Sequence, residues 1–208
     1  MQREAEGRKR VEQKSDKKKR GIKMRKILLL TTSPTEGGNG DALIQAAGEI
    51  AEEYHAQIQT IHVRDLTINP CKGCYGCAKT GVCVQKDDMA KVLSALHDCD
   101  GLIAEAPVYY NCMAAQALLV VDRLCCTFAC KSYQVGPKKK IGVFLTCTGS
   151  DVEEMKHHVQ LIVDLPSIHR SVEEEKTEVF TKCISKDTCK NSEAYLERAR
   201  EIARWVCE

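Results

Sequence analysis

No stretch of this 208-residue chain reaches the ~20 consecutive apolar residues of a membrane-crossing helix, so no bilayer span is expected. The first residues lack the apolar centre of a secretory signal, and the acidic residues among them argue against an organellar transit peptide. Residues 1–26 hold no aromatic side chain to stack on bases, which argues against nucleic acid as a partner. No internal repeat and no second domain is evident. G-x-G-x-x-G is missing after the first apolar run, so a nicotinamide nucleotide, if used, must dock transiently rather than on that fingerprint.

Cysteine is abundant, with 13 residues. They are scattered, with no disulfide framework, which places the protein in a reducing cytoplasm. A hydrophobic content of 43% is enough for a full core in one domain. Residues 1–26 carry 12 Lys or Arg against 4 Asp or Glu, a balance of +8; the other 182 carry 19 against 25, a balance of −6. The expected organisation is a basic disordered tail over 1–25 and a single domain over 26–208.

The densest cysteine group lies in PCKGCYGCAKTGVCVQKDDM, residues 70–89. Within its loop, 70–86, Cys71, Cys74, Cys77 and Cys83 follow C-x2-C-x2-C-x5-C. Two short intervals and one longer return suit four thiolates around a 4Fe–4S cluster. Zinc is the rival, although its four-cysteine sites usually come as two separated C-x2-C pairs. Four reduced thiols without metal is the third reading.

Apolar runs and helical spacings alternate along the chain. Strands are expected at Lys26–Thr32, Gln57–Val63, Gly101–Ala106, Ile141–Thr146 and Thr177–Ile184. Helices are expected at Asp41–Tyr54, Met89–Asp98, Met113–Cys130, Asp151–Leu165 and Ser192–Cys207. Asp87 or Asp88, and Asp151 or Ser150, are the expected helix caps. Five alternations predict an α/β fold, a doubly wound five-stranded parallel sheet with helices on both faces. Ligands then sit at the carboxyl ends of the strands, where loops 33–40, 107–112 and 147–150 meet. The loop 33–40, SPTEGGNG, lies between a buried strand and a helix, a layout that presents backbone N–H groups to phosphate.

Three segments carry a resemblance: SPTEGGN at 33–39, the cysteine segment 70–89, and APVYYNCMAAQ at 106–116. Over Lys26–Arg123 the chain resembles the flavodoxin-like NADPH-dependent FMN reductase family, and most of all its iron–sulfur flavoprotein branch. The resemblance implies that Ser33, Pro34, Thr35, Asn39, Gly40 and Asp41 surround the FMN phosphate. It implies that Pro107, Val108, Tyr109, Tyr110 and Asn111 lie along the isoalloxazine edge, with Cys147, Thr148 and Gly149 on the other side. It also implies a 4Fe–4S cluster on the four loop cysteines, a ferredoxin-like donor or NAD(P)H, and a homodimer or homotetramer. Two positions depart from the family pattern: Thr35 stands where the family has Arg, and Gly40 where it has Thr. Both lost groups would grip phosphate.

Three functions compete. One is electron transfer between a one-electron donor and an acceptor through cluster and FMN. The second is a cluster-free NAD(P)H-dependent FMN or quinone reductase. The third is a metal-sensing or partner-binding module without flavin. No acid–base catalytic residue is named. Cys112 and Cys147 are read first as buried filler and second as redox thiols. Cys125, Cys126 and Cys130 are read as core or interface, His157 and His158 as a solvated face, and the role of Arg123 is open.

Overall fold

Lys26–Thr31 forms the first strand, β1, and its apolar run is continuous because both faces are covered. Ile27 and Leu29 enter one core layer, Leu28 and Leu30 the other. Burying each such side chain contributes roughly 1.5–3 kcal/mol, so a charge placed between Ile27 and Leu30 would disrupt one layer or the other. This computed structural model describes residues 24–129, 136–149, 151–165, 168 and 170–208. The basic tail to residue 23, Cys130, Ser150 and Pro166 lie outside the described residues.

After β1 come α1 (Asn39–Glu53), β2 (Gln57–His62), a 3-10 turn at Val63–Asp65, a short α2 (Gly76–Thr80) and α3 (Met89–Asp98). Next are β3 (Gly101–Tyr109), β4 (Cys112–Met113), α4 (Ala115–Arg123) and α5 (Cys125–Ala129). The chain continues through β5 (Lys139–Thr146), α6 (Val152–Val163), β6 (Val172–Phe180) and α7 (Glu193–Cys207). The main sheet runs β2-β1-β3-β5-β6 and every pairing in it is parallel. That is the expected doubly wound sheet, in the flavodoxin-like order with the switch point between β1 and β3. Helices α1 and α7 cover one face, with Phe144 and Phe180 meeting edge to face at 5.7 Å. Helices α3, α4 and α6 cover the other. No helix among the described residues is long and apolar enough to cross a membrane.

Three local expectations change. β3 does not stop at Ala106: Pro107 still pairs with Thr146, and its carbonyl accepts from Ala114 N–H at 2.8 Å. Proline lacks only the donor, so an acceptor-side pairing survives. The single helix over Met113–Cys130 is instead a β4 strand and two helices. Tyr110 and Asn111, with φ of 51° and 56°, make a two-residue hairpin turn that brings Tyr109 opposite Cys112. The last strand begins at Val172 and ends at Phe180, ahead of the expected Thr177–Ile184. Asp151 caps α6 through Glu153 and Glu154 N–H; at α3 it is Asp87, not Asp88, whose carboxylate accepts from the first helical N–H, Met89, at 3.3 Å, while Asp88 takes Thr67 N–H at 2.9 Å and Lys91 at 2.7 Å.

Candidate functional site

The carboxyl ends of β1, β3 and β5 enclose a cavity of about 310 Å³. Ser33, Thr35, Asn39 and Gly40 line it from the first loop and the start of α1. Pro107, Val108, Tyr109 and Tyr110 line it from the end of β3, and Cys147 and Thr148 from the end of β5. Ten of the fourteen residues expected around a flavin are therefore brought together. Pro34, Asp41, Asn111 and Gly149 are not on its wall.

Asp41 has another task. Its carboxylate takes both Arg64 terminal nitrogens at 2.9 Å and Gly37 N–H at 2.7 Å, with His62 at 3.6 Å. This brace fixes the loop from below. Asn39 faces the cavity, but its amide donates to the Ser185 carbonyl at 2.7 Å and accepts from Cys189 N–H at 2.8 Å. Its side chain ties α1 to the loop after β6, so only its backbone N–H is open to a phosphate. Gly38, the α1 N-cap, provides no side-chain cap, and the first helical N–H groups lack intrahelical acceptors.

The cysteine loop lies elsewhere, against α3, α4 and α5. Cys71 and Cys74 are exposed, Cys77 and Cys83 half-buried. Among the described residues, no three His, Cys, Asp or Glu side chains converge as a metal-binding group. The four sulfurs match a 4Fe–4S cluster in kind and number and share one loop, yet they are not gathered. A second cavity of about 280 Å³ touches Cys83, Arg123 and Cys126 and shares no wall residue with the first.

Arg123 finds its role here. Its guanidinium reaches Asp87 at 2.5 and 3.0 Å, the Asn69 carbonyl at 2.8 Å and Cys83 Sγ at 3.3 Å. The ion pair is buried, with side chains 1% and 3% exposed. The Arg123 guanidinium holds the Asp87 carboxyl far below the usual carboxylate range. One cation thus clamps both ends of the cysteine loop to α4. Cys125 and Cys126 bring two further thiols beside it. Burial pushes Cys126 up to about 11, and the neighbouring Cys83 and Cys77 add to the rise; burial, then Cys71 and Cys77, raise Cys125. Cys126 is buried, as expected of a core residue, whereas Cys125 is exposed; their nearness to the cysteine loop depends on the helix break at Leu124. Cys147 is buried as expected, whereas Cys112 is exposed on the hairpin. His157 is exposed and His158 half-buried, in keeping with a solvated helix face.

The family model for NADPH-dependent FMN reductases matches residues 25–179. The chain belongs to that family. An iron–sulfur flavoprotein of Methanosarcina thermophila is 31% identical over 144 residues, covering 69% of this chain and 74% of the relative. One of Methanocaldococcus jannaschii is 26% identical over 191 residues, covering 88% and 96%. The chain thus falls in the iron–sulfur flavoprotein branch. An NAD(P)H:quinone oxidoreductase from Methanothermobacter marburgensis superposes with a TM-score of 0.67, over 87% of this chain and 96% of that one, at 15% identity; the likeness is one of fold. Membership makes the protein a flavin-dependent oxidoreductase and sets aside the flavin-free module.

Four wall or near-wall residues of this FMN reductase were not legible beforehand. Thr146, Cys183 and Lys186 line the 310 Å³ cavity, and Glu105 lies buried behind it. Lys186 is an exposed cation in the loop after β6. Nothing in the short polar segment around it marks it in sequence as a partner of a loop some 150 residues earlier.

Proposed function

We propose that the protein transfers electrons between a one-electron donor of the ferredoxin class and an acceptor, using FMN in the 310 Å³ cavity and a 4Fe–4S cluster on Cys71, Cys74, Cys77 and Cys83. The observation that carries the flavin part is the convergence of three loops at the β1/β3 switch point, where this strand order holds its ligand. Backbone N–H groups of the 33–40 loop and the α1 N-terminus bind the phosphate. Lys186 supplies a cation on the same wall, in place of the missing family arginine at position 35. Pro107, Val108 and Tyr109 present a largely apolar edge to the ring, opposite Cys147 and Thr148, and so orient it and exclude water. FMN supplies two-electron acceptance with single-electron release, and a cluster would supply single-electron passage. Arg123 holds the cysteine loop against α4 and donates to Cys83 Sγ at 3.3 Å. Assembly as a dimer or tetramer, in a reducing cytoplasm, belongs to the same proposal.

The ungathered sulfurs favour a second reading, a cluster-free NAD(P)H-dependent FMN or quinone reductase. Analysis of iron, sulfide, zinc and flavin after oxygen-free purification separates the two. The first reading expects one FMN with about four iron and four sulfide per chain. Flavin without iron selects the second. Colourless protein that takes up no FMN overturns both.

A further inference from the structure

Behind the phosphate loop lies an acid that the functional reading above leaves without a task. Glu105 stands in β3 on the face covered by α1, and is 1% exposed. Its neighbours are hydroxyls: Thr31 Oγ1 donates to Oε2 at 2.6 Å and Thr146 Oγ1 to Oε1 at 3.4 Å. Gly40, in the first turn of α1, makes the space. A Cβ added there would lie 2.4 Å from the carboxyl carbon and 2.5 Å from each oxygen. The carboxyl therefore occupies the place where the family's threonine side chain would begin. Where the family has a hydroxyl reaching out from the helix, this chain has an acid reaching in from the sheet.

The acid is connected to the cavity on two sides. Thr146 belongs to the cavity wall, and so does Ser33, whose N–H donates to Thr31 Oγ1 at 3.3 Å. Facing Glu105, β1 brings the Thr31 hydroxyl and β5 the Thr146 hydroxyl, both neutral. α1 brings Asp41, already occupied by Arg64 and near His62. The loop after β6 brings the Cys183 and Cys189 thiols, and α7 brings Arg198 toward Cys189. Among the described residues, no cation is paired with Glu105. Burial pushes its carboxyl up to about 7, against the opposing pull of Thr31, Ser33 and Thr146.

An ionised Glu105 and a phosphate dianion would share one helix N-terminus; Lys186, on the cavity wall, faces the phosphate, and no cation among the described residues is paired with the buried Glu105. A neutral Glu105 removes that repulsion and provides a donor. We propose that phosphate binding in this pocket is proton-linked: the site takes up a phosphomonoester dianion together with one solvent proton, which resides on the Glu105 carboxyl. The identity of the ligand as FMN rests on the functional reading above; the linkage rests on the Gly40–Glu105 fit.

The test is FMN affinity by flavin fluorescence from pH 7.5 to 9, where the phosphate, with its second pKa near ~6, stays a dianion. Riboflavin is the phosphate-free control. Expected is an FMN affinity falling by up to about tenfold per pH unit, a flat riboflavin curve, and a flat FMN curve for Glu105→Gln. In case Glu105→Gln does not fold, calorimetry of the wild type in two buffers of different ionisation enthalpy should show uptake of up to one proton per FMN near pH 8. A flat wild-type FMN curve with no proton uptake overturns the proposal, as does an equal slope for riboflavin or for Glu105→Gln. If neither flavin binds, the FMN reading fails. The same pH series with inorganic phosphate then decides the linkage: a matching slope upholds it, and a flat curve or no binding overturns it.

Discussion

Arg123 and Asp87 form a fully buried charge pair, and breaking one side of such a pair leaves the other charge uncompensated. Arg123→Ala should therefore lose about 3–5 kcal/mol in urea unfolding, with Arg123→Lys intermediate because it keeps the charge but not the forked geometry. The Asp87 carboxyl titrates below its unfolded value, so the stability it provides is present above about pH 4 and lost as pH falls further. The acid limb of wild-type stability should be steeper than that of Arg123→Ala; equal limbs would mean that the pair does not couple. Glu105 has the opposite sign. Its folded pKa is raised to about 7 from 4.5, so the favourable contribution is complete below pH 4.5 and lost as pH rises through 7. Glu105→Gln, neutral at every pH, should gain on wild type by up to roughly 3 kcal/mol between pH 5 and pH 8. Unfolding curves at those two pH values measure it; an unchanged difference counts against a neutral-preferring acid at that position.

At the level of elements, α1 and β3 are fitted to each other through one missing side chain. Gly40→Thr restores the residue usual in the family, but its Cβ meets the Glu105 carboxyl. Such overpacking costs about 1–3 kcal/mol. The double change Gly40→Thr with Glu105→Ala should recover most of that loss, and a thermal-melt double-mutant cycle should show the non-additivity expected of residues in contact. Strictly additive losses would show that the two positions are independent. Helical spacing over Met113–Cys130 is genuine within Ala115–Arg123, but the antiparallel Val108–Met113 and Tyr109–Cys112 pairs take the first residue of that stretch. A strand pairing that starts a helix two residues late leaves almost no trace in periodicity. It nevertheless decides where Tyr109 and Tyr110 stand relative to the cavity.

For the whole molecule, ligand binding and folding are linked. Saturating FMN at about 100-fold over its dissociation constant should stabilise the protein by ~2.7 kcal/mol, a rise of roughly 5–10 °C in melting temperature for a domain of this size. Riboflavin should give less, and no shift with FMN would sink the cavity assignment. Cys74→Ser should remove bound iron while leaving the far-ultraviolet circular dichroism and FMN uptake unchanged; retained iron would refute its role as a ligand. The alternation of apolar runs and amphipathic spacings was enough to settle the parallel sheet, its covered faces and the switch-point edge, because burial on both faces imposes continuous runs such as Ile27–Leu30. It was also enough to bring Ser33, Tyr109 and Cys147 to one place, since strand ends in this topology converge. Residue types and spacing named the four-cysteine loop but did not fix how its sulfurs are arranged. Only the tertiary structure revealed Lys186 on the cavity wall, Arg123 clamping Asp87 and Cys83, and Glu105 in the space left by Gly40. Each of those is a contact between segments distant in the chain, set by the depth and register of packed strands and helices, and a local pattern carries no record of such a meeting.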